Sequence, residues 1–277
     1  MNAARPVDPM VKSEVDVLDT DRYGPWAIIL GGSEGLGREY GQLLAAGGVN
    51  LLLVARSEDR LAAAAADIRA AAAVEMRTLA ADLATEDGVA RVMTAVRGLD
   101  IGLAIYNAGG ATTPRDFVDA GADDALAQIR LNVTTMTTLC HHFGRAMKAR
   151  GRGGLLLVGS MSCVAGSTGL AVYGASKAYT LAFGEALWSE LAPAGVDVLA
   201  LVVGRMKTPA LERAGLDGRG EVPAADPADI ARDSLAQLRC GPVMVQHEHR
   251  PGFDALRAMP RDKAVAVMAR SLRSQTG

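Results

Sequence analysis

The chain alternates short, wholly apolar runs with longer stretches of helical periodicity, and this alternation limits its possible folds more than any other feature. "WAIIL" is followed by "GLGREYGQLLAAG", and "NLLLVA" by "SEDRLAAAAADIRAAAA". "MRTLAAD" leads into "EDGVARVMTAVRG", and "IGLAIYNAG" into a helical stretch ending near Arg150. "GLLLVGS" precedes "YGASKAYTLAFGEALWSELA", and "DVLALVVG" comes next. An apolar run without polar alternation reads as a strand covered on both faces. Such strands separated by helices imply an α/β fold: a doubly wound parallel sheet with right-handed crossovers and helices on both faces, in three layers. Ligands of that architecture bind beyond the carboxyl ends of the strands.

The 277 residues fit a single domain over 23–277, preceded by a polar, aperiodic extension over 1–22. Residues 209–225, "PALERAGLDGRGEVPAA", break the rhythm and are expected to form a substrate loop. A helix near 226–239, the short apolar run "PVMVQ" and a helical segment over 250–277 complete the chain. Hydrophobic residues make up 49% and aromatics 4%, so the core is expected to rest on Ala, Val and Leu. The net charge of −2 gives no electrostatic case for nucleic acid or an anionic membrane. Three widely spaced cysteines suit a reduced, cytoplasmic chain without disulfides or a zinc site. The acidic N-terminal stretch does not read as a signal peptide, and no apolar run is long enough for an integral membrane segment.

"ILGGSEGLGRE" follows the first strand and opens the first long helix. Its Gly31, Gly35 and Gly37, with Ser33 and Leu36 between them, suit a tight turn that lets a pyrophosphate approach bare backbone at a helix N-terminus. This is the dinucleotide-binding form of the architecture, the Rossmann fold. The second strand ends without the acid that holds an adenosine ribose hydroxyl. Ala55 and Arg56 stand there instead. An arginine pairs with a 2′-phosphate, so NADP(H) is expected ahead of NAD(H). Ser33 and Ser57 add hydroxyls; Glu34, a negative charge in the same loop, argues the other way.

Tyr173 and Lys177, in "YGASK", share one helix face. With them the chain resembles the short-chain dehydrogenase/reductase family over about residues 25–250. Gly31, Gly35 and Gly37 match its glycine loop. Asp82, with Leu83 beside it, matches an acid that binds near the adenine. Asn107, Ala108 and Gly109 match the family's Asn-Ala-Gly, and Asn132 the helix asparagine of its catalytic tetrad. Ser160 stands thirteen residues before Tyr173, the family spacing, and Thr208 matches a residue that contacts the nicotinamide carboxamide. Leu30, Tyr106 and Val203 depart from the family's Thr, Asn and Pro.

The resemblance implies hydride transfer between NADP(H) and a carbonyl/alcohol pair. Tyr173 exchanges the proton, Ser160 orients the oxygen, and Lys177 lowers the tyrosine pKa and holds the ribose. Asn132 positions a water in a proton relay. A free tyrosine titrates near about 10, and lowering it by two to three units takes about 3–4 kcal/mol from nearby positive charge. Ser162 is a rival for the serine role; Tyr179, His141, His142 and Lys207 read as packing or solvated positions. The resemblance implies a hydrophobic substrate (steroid-like, aryl or long-chain) and a homodimer or homotetramer formed through the helices carrying Asn132 and Tyr173. A 3-oxoacyl-thioester reductase is the runner-up. A non-catalytic NADP-binding regulatory protein is the reading from another class; such proteins commonly lose the tyrosine or lysine, and both are present here.

Overall fold

The computed structural model describes residues 19–110, 114–213 and 223–276. In chain order the elements are α1 (Thr20–Tyr23), β1 (Trp26–Leu30), α2 (Gly35–Ala46), β2 (Asn50–Ala55), α3 (Glu58–Ala71), β3 (Met76–Ala80), α4 (Glu86–Ala95) and β4 (Ile101–Tyr106). Then come α5 (Ala122–Ile129), a π-helical segment (Arg130–Thr135), α6 (Met136–Arg150), β5 (Gly153–Val158), α7 (Ala171–Leu191) and β6 (Val196–Val202). The last are α8 (Pro209–Arg213), α9 (Pro227–Gln237), β7 (Val243–Val245), α10 (Arg250–Ala258) and α11 (Arg261–Thr276).

The seven strands form one parallel sheet in the order β3-β2-β1-β4-β5-β6-β7. The expected doubly wound sheet is therefore present, and "PVMVQ" supplies its edge strand. Successive residues of each strand serve opposite cores. Ala27 and Ile29 join α2, α3 and α9 on one face, while Trp26, Ile28 and Leu30 join α4, α6 and α7 on the other. That is why the central strands read as unbroken apolar runs. β3 lies at an edge and carries exposed Arg77 and Thr78. The order reverses between β1 and β4, so the switch-point crevice opens where the glycine loop and the "YNAG" segment end their strands.

The N-terminal extension differs from the sequence expectation at its end; residues 1–18 lie outside the described ones. Residues 19–23 form a helical turn capped by Asp19, whose side chain accepts from the Arg22 N–H. Tyr23 is buried, and its hydroxyl donates to Asp197 Oδ2 at 2.6 Å. Arg22 forks onto the same carboxylate and donates to the Gly195 carbonyl at 2.9 Å. Residues 19–22 belong to the stretch that a period-based reading leaves as an arm. Their partners lie some 175 positions away, beyond any local signal.

The C-terminal segment is helical as expected. α10 and α11 bring Phe253, Leu256 and Ala264 against Val164, Ala165 and Val202, so the tail covers the loop that follows Ser160. The Arg261 guanidinium donates to the Val164 carbonyl at 2.9 Å. Among the described residues no helix is long and apolar enough to cross a membrane, and no His/Cys/Asp/Glu group could hold a metal ion.

Candidate active site

The glycine loop is shaped by what a side chain would strike. Gly31 has φ +88°, and a Cβ there would lie 2.8 Å from the Ala108 nitrogen. A Cβ on Gly37 would lie 1.9 Å from the Gly31 carbonyl oxygen. Glu34 sits at the N-cap of α2 without a side-chain cap bond, and the first turn holds no acid. The N–H groups of that turn are left for an anion. Asn107 Nδ2 donates to the Gly31 carbonyl at 2.8 Å and its backbone N–H to the Leu30 carbonyl at 2.9 Å, tying the ends of β4 and β1 together. A helix N-terminus with free donors and a bare-backbone turn fits a dinucleotide phosphate.

The other cofactor candidates take varied positions. Ser33 lines a cavity of about 340 Å³ together with Glu34, Gly35, Arg38, Arg60 and Lys207. Arg56 projects from the end of β2 into solvent. Asp82 is exposed, and its carboxylate accepts from the Ala84 N–H at 3.0 Å, which gives it a turn-forming role as well. The side chains of Leu36 and Leu83 are buried in the two cores, so these residues reach a ligand through backbone alone. Thr208 lies against Gly35, where a Cβ would come 2.9 Å from its Cγ2, and its hydroxyl accepts from the Leu211 N–H at 3.2 Å. Leu30 and Val203 are core residues, and the Tyr106 hydroxyl donates to the Leu131 carbonyl at 2.6 Å. Tyr106 thereby pins the segment that carries Asn132.

Asn132, Ser160, Tyr173 and Lys177 come together beyond the carboxyl ends of β4 and β5. Ser160 follows β5 and is fixed by the adjacent Met161 N–H, which donates to the Val203 carbonyl of the β6 side at 2.8 Å. Its side chain lies by the Tyr173 phenol and favours the ionised form. Ser162, the rival, uses its backbone N–H to donate to Ser160 Oγ at 3.2 Å, so it supports the serine rather than replacing it. Lys177 is 5% exposed; its ammonium donates to the Val158 carbonyl at 2.9 Å and stands 5.7 Å from the Tyr173 ring centre. Asn132 is 2% exposed, and neither amide atom has a partner. A Cβ on Gly109 would lie 2.2 Å from Asn132 Oδ1 and 3.5 Å from Lys177 Nζ. Gly109, Asn132 and Lys177 thus enclose one small polar space. Two buried unsatisfied amide atoms there suit an ordered water, since such groups are costly without a partner. The π-helical widening at Asn132 is a local distortion of the kind that often marks functional sites.

The electrostatics correct one expectation. In the protein without cofactor, burial pushes the Tyr173 phenol up from its ordinary value, and the neighbouring Ser160 side chain only partly offsets this. The same burial brings Lys177 down from 10.5 to about 8. The lysine is itself buried and turned onto the Val158 carbonyl rather than onto the phenol oxygen. The burial cost of the ammonium is fully present below about pH 8 and is released as pH rises toward 10.5. The K177M variant is therefore expected to melt higher than the native protein at pH 7, by up to about 3 kcal/mol of stability. That gap should narrow above pH 8. A K177M protein less stable than native at pH 7 would contradict the shift.

Tyr173 also borders a cavity of about 200 Å³ walled by Phe117, Gln128, Leu170 and Val172, with Arg115 and Asp124 on its lining. The wall next to the tyrosine thus comes from the segments around 115–128 and 169–172. The described part of the expected substrate loop, residues 209–213 and 223–225, lies elsewhere. Lys207 and Pro209 border the glycine-loop cavity, and Met206 pairs with Ala225. Residues 214–222 lie outside the described ones. Local sequence did not point to Gln128, Arg115 or His249, whose Nε2 presses on Gly204 and lacks a partner. Only Arg60 left a signal: it is a second arginine four residues after Arg56, near the start of α3.

Known proteins are similar to this chain. A 7beta-hydroxysteroid dehydrogenase of Collinsella aerofaciens is 35% identical over 191 residues, 69% of this chain and 72% of that protein. The solved structure of a short-chain dehydrogenase from Sphingobium yanoikuyae in complex with NADPH is 32% identical, with a TM-score of 0.76, covering 84% of this chain and 92% of that one. The inactive hydroxysteroid dehydrogenase-like protein 1 of Homo sapiens is 30% identical over 196 residues, 70% of this chain and 59% of that protein. The family model for short chain dehydrogenase matches residues 25–217, which run from the first strand through the glycine loop and the Ser160–Tyr173–Lys177 set to beyond Thr208. By that match the chain belongs to the short-chain dehydrogenase family.

Proposed function

We propose that the protein is an NADP(H)-dependent oxidoreductase that interconverts a ketone and a secondary alcohol on a hydrophobic small molecule of steroid-like, aryl or long-chain type. One observation carries this reading: the Tyr173 phenol borders a cavity with an apolar wall, with Ser160, Lys177 and Asn132 grouped around it. The bound cofactor supplies or takes the hydride. The chain's own residues handle the proton. Tyr173 gives it to the carbonyl oxygen in reduction and takes it from the alcohol in oxidation. Ser160 donates to the same oxygen and fixes its place. Lys177 keeps positive charge near the phenol, and Asn132 holds a water between Lys177 and solvent. Gly31, Gly35 and Gly37 admit the pyrophosphate to the N-terminus of α2.

The apolar wall of Phe117, Leu170 and Val172 supports a hydrophobic substrate, as do the hydroxysteroid dehydrogenase relatives. The cavity's own lining holds one acid, Asp124, against one base, Arg115. That balance supplies no positive field for an acyl thioester carried on a polyanionic group, the runner-up. The non-catalytic reading draws support from the relative named as inactive, and the presence of both Tyr173 and Lys177 opposes it. A turnover screen with NADPH and NADH against steroid ketones, aryl ketones and acyl thioesters tests all three. Absence of turnover with every ketone would sink the enzyme reading.

Arg56 is the residue proposed to meet the 2′-phosphate. The R56A variant is expected to bind NADPH about tenfold or more weaker and NADH almost unchanged, as read by fluorescence titration. Equal losses for both cofactors would refute it. Assembly as a dimer or tetramer through α6 and α7 is supported by the solvent-exposed Trp188 on α7, and light scattering after size exclusion measures it.

A further inference from the structure

The glycine loop carries a carboxylate at a place where an incoming phosphate would feel it. β1 and β2 are neighbours, and the Gly31 and Gly32 N–H groups both donate to the Val54 carbonyl, at 2.7 and 3.1 Å. Ser33 and Glu34 therefore stand next to Ala55, Arg56 and the start of α3. Arg60, in the first turn of α3, approaches Glu34 Oε2 at 3.6 Å, and its backbone N–H donates to Ser57 Oγ at 3.4 Å, so the carboxylate stands by the start of the helix that Arg56 and Ser57 lead into. A phosphate held there by Arg56 would face a like charge.

That charge is engaged from the other side. Arg213, the last residue of α8, forks onto Glu34: its two terminal nitrogens donate to Oε2 at 3.0 Å and to Oε1 at 2.6 Å. Arg213 and Arg60 together hold the Glu34 carboxyl below its ordinary range. α8 is itself placed by Thr208 against Gly35 and by the bridge of Met206 to Ala225. Two guanidinium groups thus surround one carboxylate at the cofactor loop, and the local balance is positive.

We propose that Arg213, acting through Glu34 together with Arg60, is a positioning residue for cofactor choice: it cancels the carboxylate of the glycine loop and so lets that loop accept the 2′-phosphate of NADP(H). This inference rests on the NADP(H) reading proposed above. Arg213 itself need not touch the cofactor.

Five proteins test it: the native chain, R213A, E34Q, the E34Q/R213A double variant and R56A. Each is titrated with NADPH and with NADH, and dissociation constants are read directly. R213A is expected to weaken NADPH about tenfold and NADH by less than about twofold, because the freed carboxylate opposes only the extra phosphate. E34Q should bind NADPH at least as tightly as native. The double variant should return the NADPH/NADH ratio to within about threefold of native, since no carboxylate remains to be cancelled. Equal weakening of both cofactors by R213A would make the pair a mechanical strap on α8 and overturn the proposal. A double variant as weak as R213A would overturn it too, as would looser NADPH binding by E34Q. If the native protein bound NADPH and NADH alike and R56A changed neither, the underlying NADP(H) reading would have failed. If native and R56A behaved as expected while R213A left the ratio untouched, only this inference would fall.

Discussion

Replacing Tyr173 by phenylalanine is expected to lower kcat/KM for ketone reduction by about 10²- to 10⁴-fold, the usual loss when a positioned proton donor is removed. The ring keeps its packing, and the removed hydroxyl is the one whose pKa Ser160 lowers. NADPH affinity should stay within about threefold of native, because nothing in the glycine loop changes. The loss therefore falls on turnover rather than on cofactor binding. The native pH profile should carry the same signature. Burial holds the phenol protonated past its ordinary range, so reduction, which needs the acid form, should not fall on the alkaline side until the phenol titrates. Oxidation needs the phenolate and should accelerate as pH rises. In Y173F that acceleration should vanish. A variant that turned over at native rates, or that kept the alkaline rise, would remove Tyr173 from the chemistry.

The second large effect is expected at Gly37. In G37A the new methyl group would sit 1.9 Å from the Gly31 carbonyl oxygen and 2.8 Å from Asn107 Nδ2. Neither neighbour is a flexible side-chain end. Asn107 is tied at both its amide and its backbone to β1, and Gly31 already holds φ +88°. The loop can admit the methyl only by opening, and opening removes the cradle. NADPH affinity is expected to fall by about 100-fold or more. Stability should fall by the roughly 1–3 kcal/mol of an overpacked site. Gly48 is the control. It holds φ +81°, yet a Cβ there meets nothing within 4 Å. G48A should therefore lose stability through backbone strain while binding NADPH as the native protein does. Near-native NADPH affinity in G37A would refute the loop as a phosphate site.

What the sequence made readable follows from periodicity. β1, β4 and β5 are buried at every position and read as unbroken apolar runs. The edge strand β3 mixes buried and exposed positions; its neighbours, more than its own pattern, mark it as a strand. The glycine loop was legible because glycines that avoid backbone collisions leave a spacing behind them. The Tyr173–Lys177 pair was legible because four residues are one helical turn. The widened turn at Asn132 was not, since a smooth helical pattern runs through it.

The sequence by itself determined the parallel sheet and the glycine loop, and it paired Tyr173 with Lys177, because these depend on short-range patterns; Asn132 and Ser160 entered through the resemblance to a family's motifs. Tertiary structure decided the rest. It placed Tyr23 and Arg22 on Asp197, Arg213 on Glu34, and the tail helices over the loop after Ser160. It also decided the sign of the Tyr173 shift: burial depends on how many atoms displace water around the phenol. Those atoms come from chain segments far apart in sequence, and no local pattern records where they meet.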